Sequence, residues 1–165
     1  MKTLNNYITE KFKINSKTVS NQNDDYVDLG LPSGLLWSKY NYGVDENNEY
    51  GEQKMYSSAM KIKFKDGARL PTKEDFKELY DKCIVNYVKE NGIEGFRFTS
   101  MKYDEESIFL PYCHIENKGQ GFYWSSTEYD NIKAYILWFD KSGIKYQNIN
   151  NKSNLFYIRP VLDNK

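Results

Sequence analysis

The chain is poor in the residues on which most catalytic centres and most secreted scaffolds depend. Among its 165 residues are two cysteines, one histidine and four prolines. Cys83 and Cys113 are too few for the disulfide framework of a small secreted domain, and they read as free, mostly buried thiols. His114 directly follows Cys113. Neighbours in a strand point to opposite faces, so these two do not form a nucleophile–base pair. No metal-ligand spacing links the cysteines, and no catalytic residue, metal or cofactor is expected. An excess of one charge is missing too: 23 lysines and arginines balance 23 aspartates and glutamates. Without a net field to attract phosphate, nucleic acid is not an expected partner. No apolar run approaches the roughly 20 residues of a membrane helix, so no membrane partner is expected either. The first residues also lack the apolar stretch of about 7–15 residues that a secretory signal needs. The expected place of the protein is therefore the cytoplasm, or a particle that leaves by lysis.

What the chain does have is aromatic surface: 16% of it is aromatic and 15 residues are tyrosine. That supplies an aromatic core and leaves tyrosines outside, where a ring and a hydroxyl suit recognition. Two parts are legible, residues 1–25 and residues 26–165. In the first, Leu4, Tyr7, Ile8 and Phe12 recur at spacings of three to four, with Thr3 as a possible cap. So short an amphipathic stretch does not hold a helix alone in water and must dock on something. A polar linker from Asn15 to Asp25 follows.

The second part opens with two apolar runs separated by Leu31-Pro32-Ser33-Gly34, which predicts a β-hairpin. A weak helix is possible between Ser57 and Lys65. The strongest helical signal starts at Pro71, with Thr72 as N-cap, Asp75 completing a capping box, and Phe76, Leu79, Tyr80 and Cys83 along one face. After Gly92 the pattern alternates, giving about five short strands: Phe96 to Thr99, Ser107 to Pro111, Gly121 to Ser126, Ala134 to Phe139 and Phe156 to Val161. One or two helices followed by antiparallel strands make an α+β domain.

Several phrases occur in an ordered series: Tyr26-Val27-Asp28-Leu29-Gly30-Leu31-Pro32-Ser33-Gly34-Leu35-Leu36-Trp37, then Arg69-Leu70-Pro71-Thr72 and Gly92-Ile93-Glu94-Gly95-Phe96. Ser107-Ile108-Phe109-Leu110-Pro111, Tyr123-Trp124-Ser125-Ser126-Thr127, Ala134-Tyr135 and Arg159-Pro160-Val161 complete it. This order resembles the Fibrobacter succinogenes major paralogous domain family of Bacteroidetes. That family is similar to the group whose fold is shared by C-type lectins, formylglycine-generating enzymes and the variable receptor-binding proteins of phages. The resemblance implies a C-type-lectin-like domain that binds a glycan or a protein. Calcium-dependent sugar recognition is not implied, because the Glu-Pro-Asn, Gln-Pro-Asp and Trp-Asn-Asp tripeptides of such lectins do not occur here. Met1-Lys2-Thr3 with Tyr7-Ile8 and Glu10 resembles the capsid-targeting leader of tailed-phage head proteins. From that resemblance the expected location is a virion assembled in the host cytoplasm, with bacterial cytoplasm as the alternative. The expected partners are a capsid or other virion protein at the anchor Leu4, Tyr7, Ile8 and Phe12, and a host glycan or surface protein at the domain.

In the variable phage proteins the end of the chain carries the ligand-contacting face. The matching residues here are Trp138, Tyr146, Asn148, Asn150 and Tyr157, with Tyr129 and Asn131 in the turn before them. Period-two alternation places Tyr135, Leu137 and Phe139 inward and Ile136 and Trp138 on the other face. Glu128, Asp130 and Asn131 read as a solvated loop. Trp37 and Trp124 read as core, and Arg69 and Arg159 as braces for backbone carbonyls or for a carboxylate such as Asp28.

Overall fold

A computed structural model of the chain describes residues 25–113 and 119–164. The described residues form an α+β arrangement dominated by short antiparallel sheets. The opening hairpin pairs β1 (Tyr26–Asp28) with β2 (Leu36–Ser38). Its turn closes through Gly34 N–H donating to Leu31 O at 2.9 Å, with Pro32 fixing the backbone angle that such a turn requires. Of the possible helix between Ser57 and Lys65 only a single turn forms, α1 (Tyr56–Ala59); residues 60–64 are not helical, and a 3₁₀ turn (Lys65–Gly67) begins where the stretch ends.

The strongest sequence signal becomes α2 (Lys73–Lys82). Thr72 Oγ1 accepts from Asp75 N at 3.1 Å, and Asp75 Oδ2 accepts from Thr72 N at 2.7 Å, so the capping box is closed in both directions. Phe76 and Leu79 are fully buried. Cys83 is not on the helix as expected. It is the C-cap and first residue of β3 (Cys83–Glu90), because the backbone turns extended there.

Two further sheets follow. β3, β4 (Ile93–Ser100) and β5 (Ser107–Pro111) form one, and β6 (Gln120–Glu128), β7 (Lys133–Asp140) and β8 (Gly143–Asn151) form the other. Three departures from the sequence expectation stand out. β3 and β8 are strands of eight and nine residues where no strand was expected: in β3 the apolar residues Ile84, Val85, Tyr87 and Val88 fall on both faces and do not alternate, and in β8 the residues after Tyr146 are mostly amides. The third is Phe156 to Val161, which does not form one continuous strand. This segment runs between sheets, pairing Phe156 with Lys54, Tyr157 in parallel with Tyr123, and Val161 with Arg69, before β9 (Val161–Leu162) joins β2.

That connecting segment carries the centre of the fold. Arg159 is only 1% exposed. Its guanidinium donates to Ser38 O at 3.0 Å, Lys39 O at 2.7 Å, Phe109 O at 2.6 Å and Asn41 Oδ1 at 2.8 Å. It thus braces carbonyls, as read from the sequence, but Asp28 is not its partner; that carboxylate accepts from Gly30 N at 2.8 Å. Arg69 also acts as a brace, donating to Leu70 O at 3.1 Å and pairing with the carboxylates of Asp75 and Asp163 at 2.7 and 2.9 Å rather than with Asp28. Trp37 and Trp124 are fully buried, as expected. Tyr112, Tyr123, Phe96 and Phe139 pack ring against ring between the sheets.

Candidate functional site

β7 decides where the expected binding residues can lie. Its alternation sends Leu137 and Phe139 to one face and Ile136 and Trp138 to the other. Leu137, Phe139 and Ile136 are all fully buried, so the sheet is covered on both sides. Tyr135 is only half-buried, a correction to its expected core position: it lies near the start of the strand, under Lys73 of α2 at 4.4 Å.

Asn148 and Asn150 stand directly opposite Ile136 and Ala134. Cross-strand partners share a face, so both asparagines belong with Trp138. Trp138 leans half-buried on the core with Lys145 Nζ 5.3 Å above its ring. Asn148 Oδ1 accepts from Ile149 N at 3.0 Å, and Asn150 Oδ1 from Asn151 N and Asn154 Nδ2 at 2.8 and 2.6 Å. These amides sit in a strand rather than a loop, and their oxygens already have local donors.

Tyr146 lies elsewhere. The ladder slips between Ile136 and Trp138, which places an extra β8 residue there, and Tyr146 meets Tyr80 of α2 at 5.2 Å. Lys73, Lys77 and Tyr80 are spaced by four and three along α2 and therefore form one helical stripe. Lys77 Nζ is 5.9 Å from the Tyr146 ring. At the other end Tyr129 meets Tyr135 edge-on at 5.7 Å. The result is a strip running Tyr129, Tyr135, Lys73, Lys77, Tyr146 and Tyr80 across the β6–β7 turn, β7, α2 and β8. Tyr129 is 54% and Tyr80 38% exposed. Both lysines have acidic neighbours, Glu74 at 3.6 Å from Lys73 and Asp81 in an ion pair with Lys77, so the strip is aromatic and polar without a strong charge. Ring faces joined by lysine stems suit flat apolar groups carrying hydroxyls.

The seven expected residues thus separate into groups. Tyr129 and Tyr146 join the strip, Trp138, Asn148 and Asn150 share the opposite sheet face, and Asn131 is exposed in the β6–β7 turn. Tyr157 is corrected: it is 3% exposed, packed on Tyr123, and its backbone pairs with β6. A buried ring whose main chain is committed to a sheet cannot meet a ligand. Sequence reading missed Tyr80, Tyr135, Lys73 and Lys77; the i, i+4, i+7 stripe on α2 was the available signal. The anchor residues Leu4, Tyr7, Ile8 and Phe12, and His114, lie outside the described residues.

The remaining chemistry-bearing groups are quiet. Burial, and then Glu78, pushes the Cys83 thiol up to about 12, and burial pushes Cys113 up to about 11, so both stay protonated near neutral pH. Asp130 Oδ1 accepts from Ile132 N and Lys133 N, each at 2.7 Å; these bonds hold its carboxyl below the usual range and shape the turn. Among the described residues no group of three His, Cys, Asp or Glu side chains is placed to hold a metal, and no helix is long and apolar enough to cross a membrane. A shallow concavity of about 210 Å³ is lined by Met60, Ile62, Phe64, Leu70, Arg69 and Ser126. Comparison with protein-family models, curated proteins and solved structures returns no match.

Proposed function

We propose that this chain is a non-catalytic binding module of C-type-lectin-like fold that recognises a glycan or a protein through the tyrosine–lysine strip. The observation that carries the reading is the gathering of Tyr129, Tyr135, Tyr146 and Tyr80 along one side of α2. Rings that are exposed, as Tyr129 and Tyr80 are, or half-buried, as Tyr135 and Tyr146 are, and that are held by neighbouring rings and lysine stems lose little freedom on binding, which favours recognition at small entropic cost. The ordered sequence phrases support the lectin-like fold, and the mainly antiparallel α+β layout is compatible with it. We place the module in a Bacteroidetes phage particle, held there by Leu4, Tyr7, Ile8 and Phe12. The alternative is a structural head decoration or cargo protein attached through the same segment.

Glycan-array and pull-down profiles separate these readings. Tyr146→Ala and Tyr129→Ala should each weaken the recognised ligand by about tenfold, on the order of 1–2 kcal/mol for a buried aromatic contact, while Trp138→Ala leaves the profile unchanged. If all three variants match the wild type, the strip is not the recognition surface. Deleting residues 1–20 should abolish particle incorporation; normal incorporation would remove the anchoring role.

A further inference from the structure

The edges of the sheets are unequal. β1 is three residues long, and β9, two residues long, is flanked by the Arg69–Val161 bridge. β5 has its Phe109 carbonyl taken by Arg159 at 2.6 Å. β6 is flanked by Tyr157 in parallel, and β8 is bulged and lies against Tyr80 of α2. β3 has none of these protections. It pairs with β4 without a bulge from Cys83↔Ser100 to Glu90↔Ile93, contains no proline, and among the described residues no backbone bond outside that ladder reaches it. Its side chains are open as well, with Ile84 50% and Tyr87 42% exposed. A long regular edge with exposed apolar side chains is a template for another strand.

We infer that β3 is the interface through which two copies of this chain pair, edge to edge and antiparallel, about a two-fold axis at Asn86. An isologous contact requires a surface complementary to itself, and β3 meets that requirement in this register. Ile84 comes opposite Val88 of the second copy, and Val85 opposite Tyr87, so apolar side chains meet on both faces of the strand. Asn86 faces itself on the axis, and Glu90 at the end of the strand is already held by Arg97 of β4, so no unpaired carboxylate is brought to the seam. Val85 and Tyr87 lie on the face that packs inward, where Tyr87 contacts Phe96 and Tyr112 at 6.1 Å. Tyr87 is held in place by donating to Glu94 at 2.6 Å, with Lys141 against both groups. Pairing therefore joins two three-stranded sheets into one of six strands and extends the aromatic layer across the axis. A balanced net charge offers no long-range repulsion between copies.

Sedimentation equilibrium of the full chain tests this, with circular dichroism to confirm folding. The wild type should rise from the mass of one chain toward that of two as concentration increases. Asn86→Lys and Asn86→Asp each place like charges on the axis and should raise the dimer dissociation constant about tenfold or more. Mixing those two variants should restore association. Asn86→Cys should give a disulfide-linked dimer under mild oxidation, since residues paired across an antiparallel axis lie about 4.5–5.5 Å apart at Cα. A wild type that stays at the mass of one chain, or single charge variants that associate as the wild type does, would overturn the inference.

Discussion

β7 and β8 are hydrogen-bonded neighbours of similar length, yet their places in the sheet are fixed by different means. In β7, Ala134, Ile136, Leu137 and Phe139 are fully buried, two on each face of the strand. None of the β8 residues is buried, and Ile144 and Tyr146 only lean on the core. Burial of a large apolar side chain is worth roughly 1.5–3 kcal/mol, and a one-residue slip of β7 would exchange both of its faces. Its register therefore has no freedom. β8 takes its position from the β7 ladder and accommodates an extra residue between Asn148 and Lys145 without losing the pairing. Stability is concentrated in the interior strands and the segment bracing them, while an edge strand is free to carry surface chemistry. The cost of substitution should fall steeply from one to the other.

The largest loss is expected at Arg159. It holds the end of β2, the Asn41 loop and β5 together through four hydrogen bonds, with no carboxylate among those partners. Burial pulls its guanidinium down to about 10, still charged at neutral pH. Arg159→Met preserves much of the volume but leaves three part-buried carbonyls and the buried Asn41 amide oxygen without their donor. Each unmade bond costs about 1–3 kcal/mol and the losses do not add fully, so a decrease of about 3–5 kcal/mol is expected in urea unfolding. A loss below about 1 kcal/mol would place the brace outside the stabilising centre.

The next loss belongs to Gly95 in β4. A Cβ built there would lie 2.3 Å from Leu110 O and 2.7 Å from the Phe109 ring. Backbone oxygen in a paired strand cannot swing away as a flexible side chain would. Gly95→Ala should cost about 1–3 kcal/mol by overpacking, read as a lower unfolding midpoint with an unchanged slope. Comparable stability to wild type would mean that β4 and β5 can separate slightly at no cost, blurring the contrast between interior and edge.

The same contrast explains what could be read from the sequence. The hairpin announced itself through Pro32 and Gly34, α2 through Thr72 and Asp75, and β7 through its run of apolar residues. All three depend on short-range chemistry or dense apolar patterning. β8 has neither, since an edge strand is stabilised by its neighbour's backbone, and Asn148 reads the same in a strand as in a loop; β3 has apolar residues on both faces, but it follows α2 directly, so no turn residue marks where helix gives way to strand. Tyr157 was misplaced for the converse reason. An aromatic ring beside a polar stretch looks exposed until the chain is seen to pass between β6 and the Lys54 segment. The tyrosine–lysine strip was half legible: Tyr129 and Tyr146 come from the region expected to carry it, but their joining to Tyr80 depends on how α2 lies on the sheet.

The smallest effect tests the other side of the comparison. Asn148 pairs opposite Ile136 in the ladder, but through its backbone; the side-chain oxygen bonds only to the adjacent Ile149 N–H. Removing that amide leaves the ladder intact, and the freed N–H lies on a half-exposed edge strand where water can replace the lost acceptor. Asn148→Ala should therefore change stability by no more than about 0.5 kcal/mol. It should also leave ligand binding by the strip intact, because residue 148 shares the face of Trp138 rather than that of Tyr146. A loss above about 1.5 kcal/mol would show that β8 is fixed by its own side chains, and the division between a stabilising interior and a permissive edge would then fail at its clearest example.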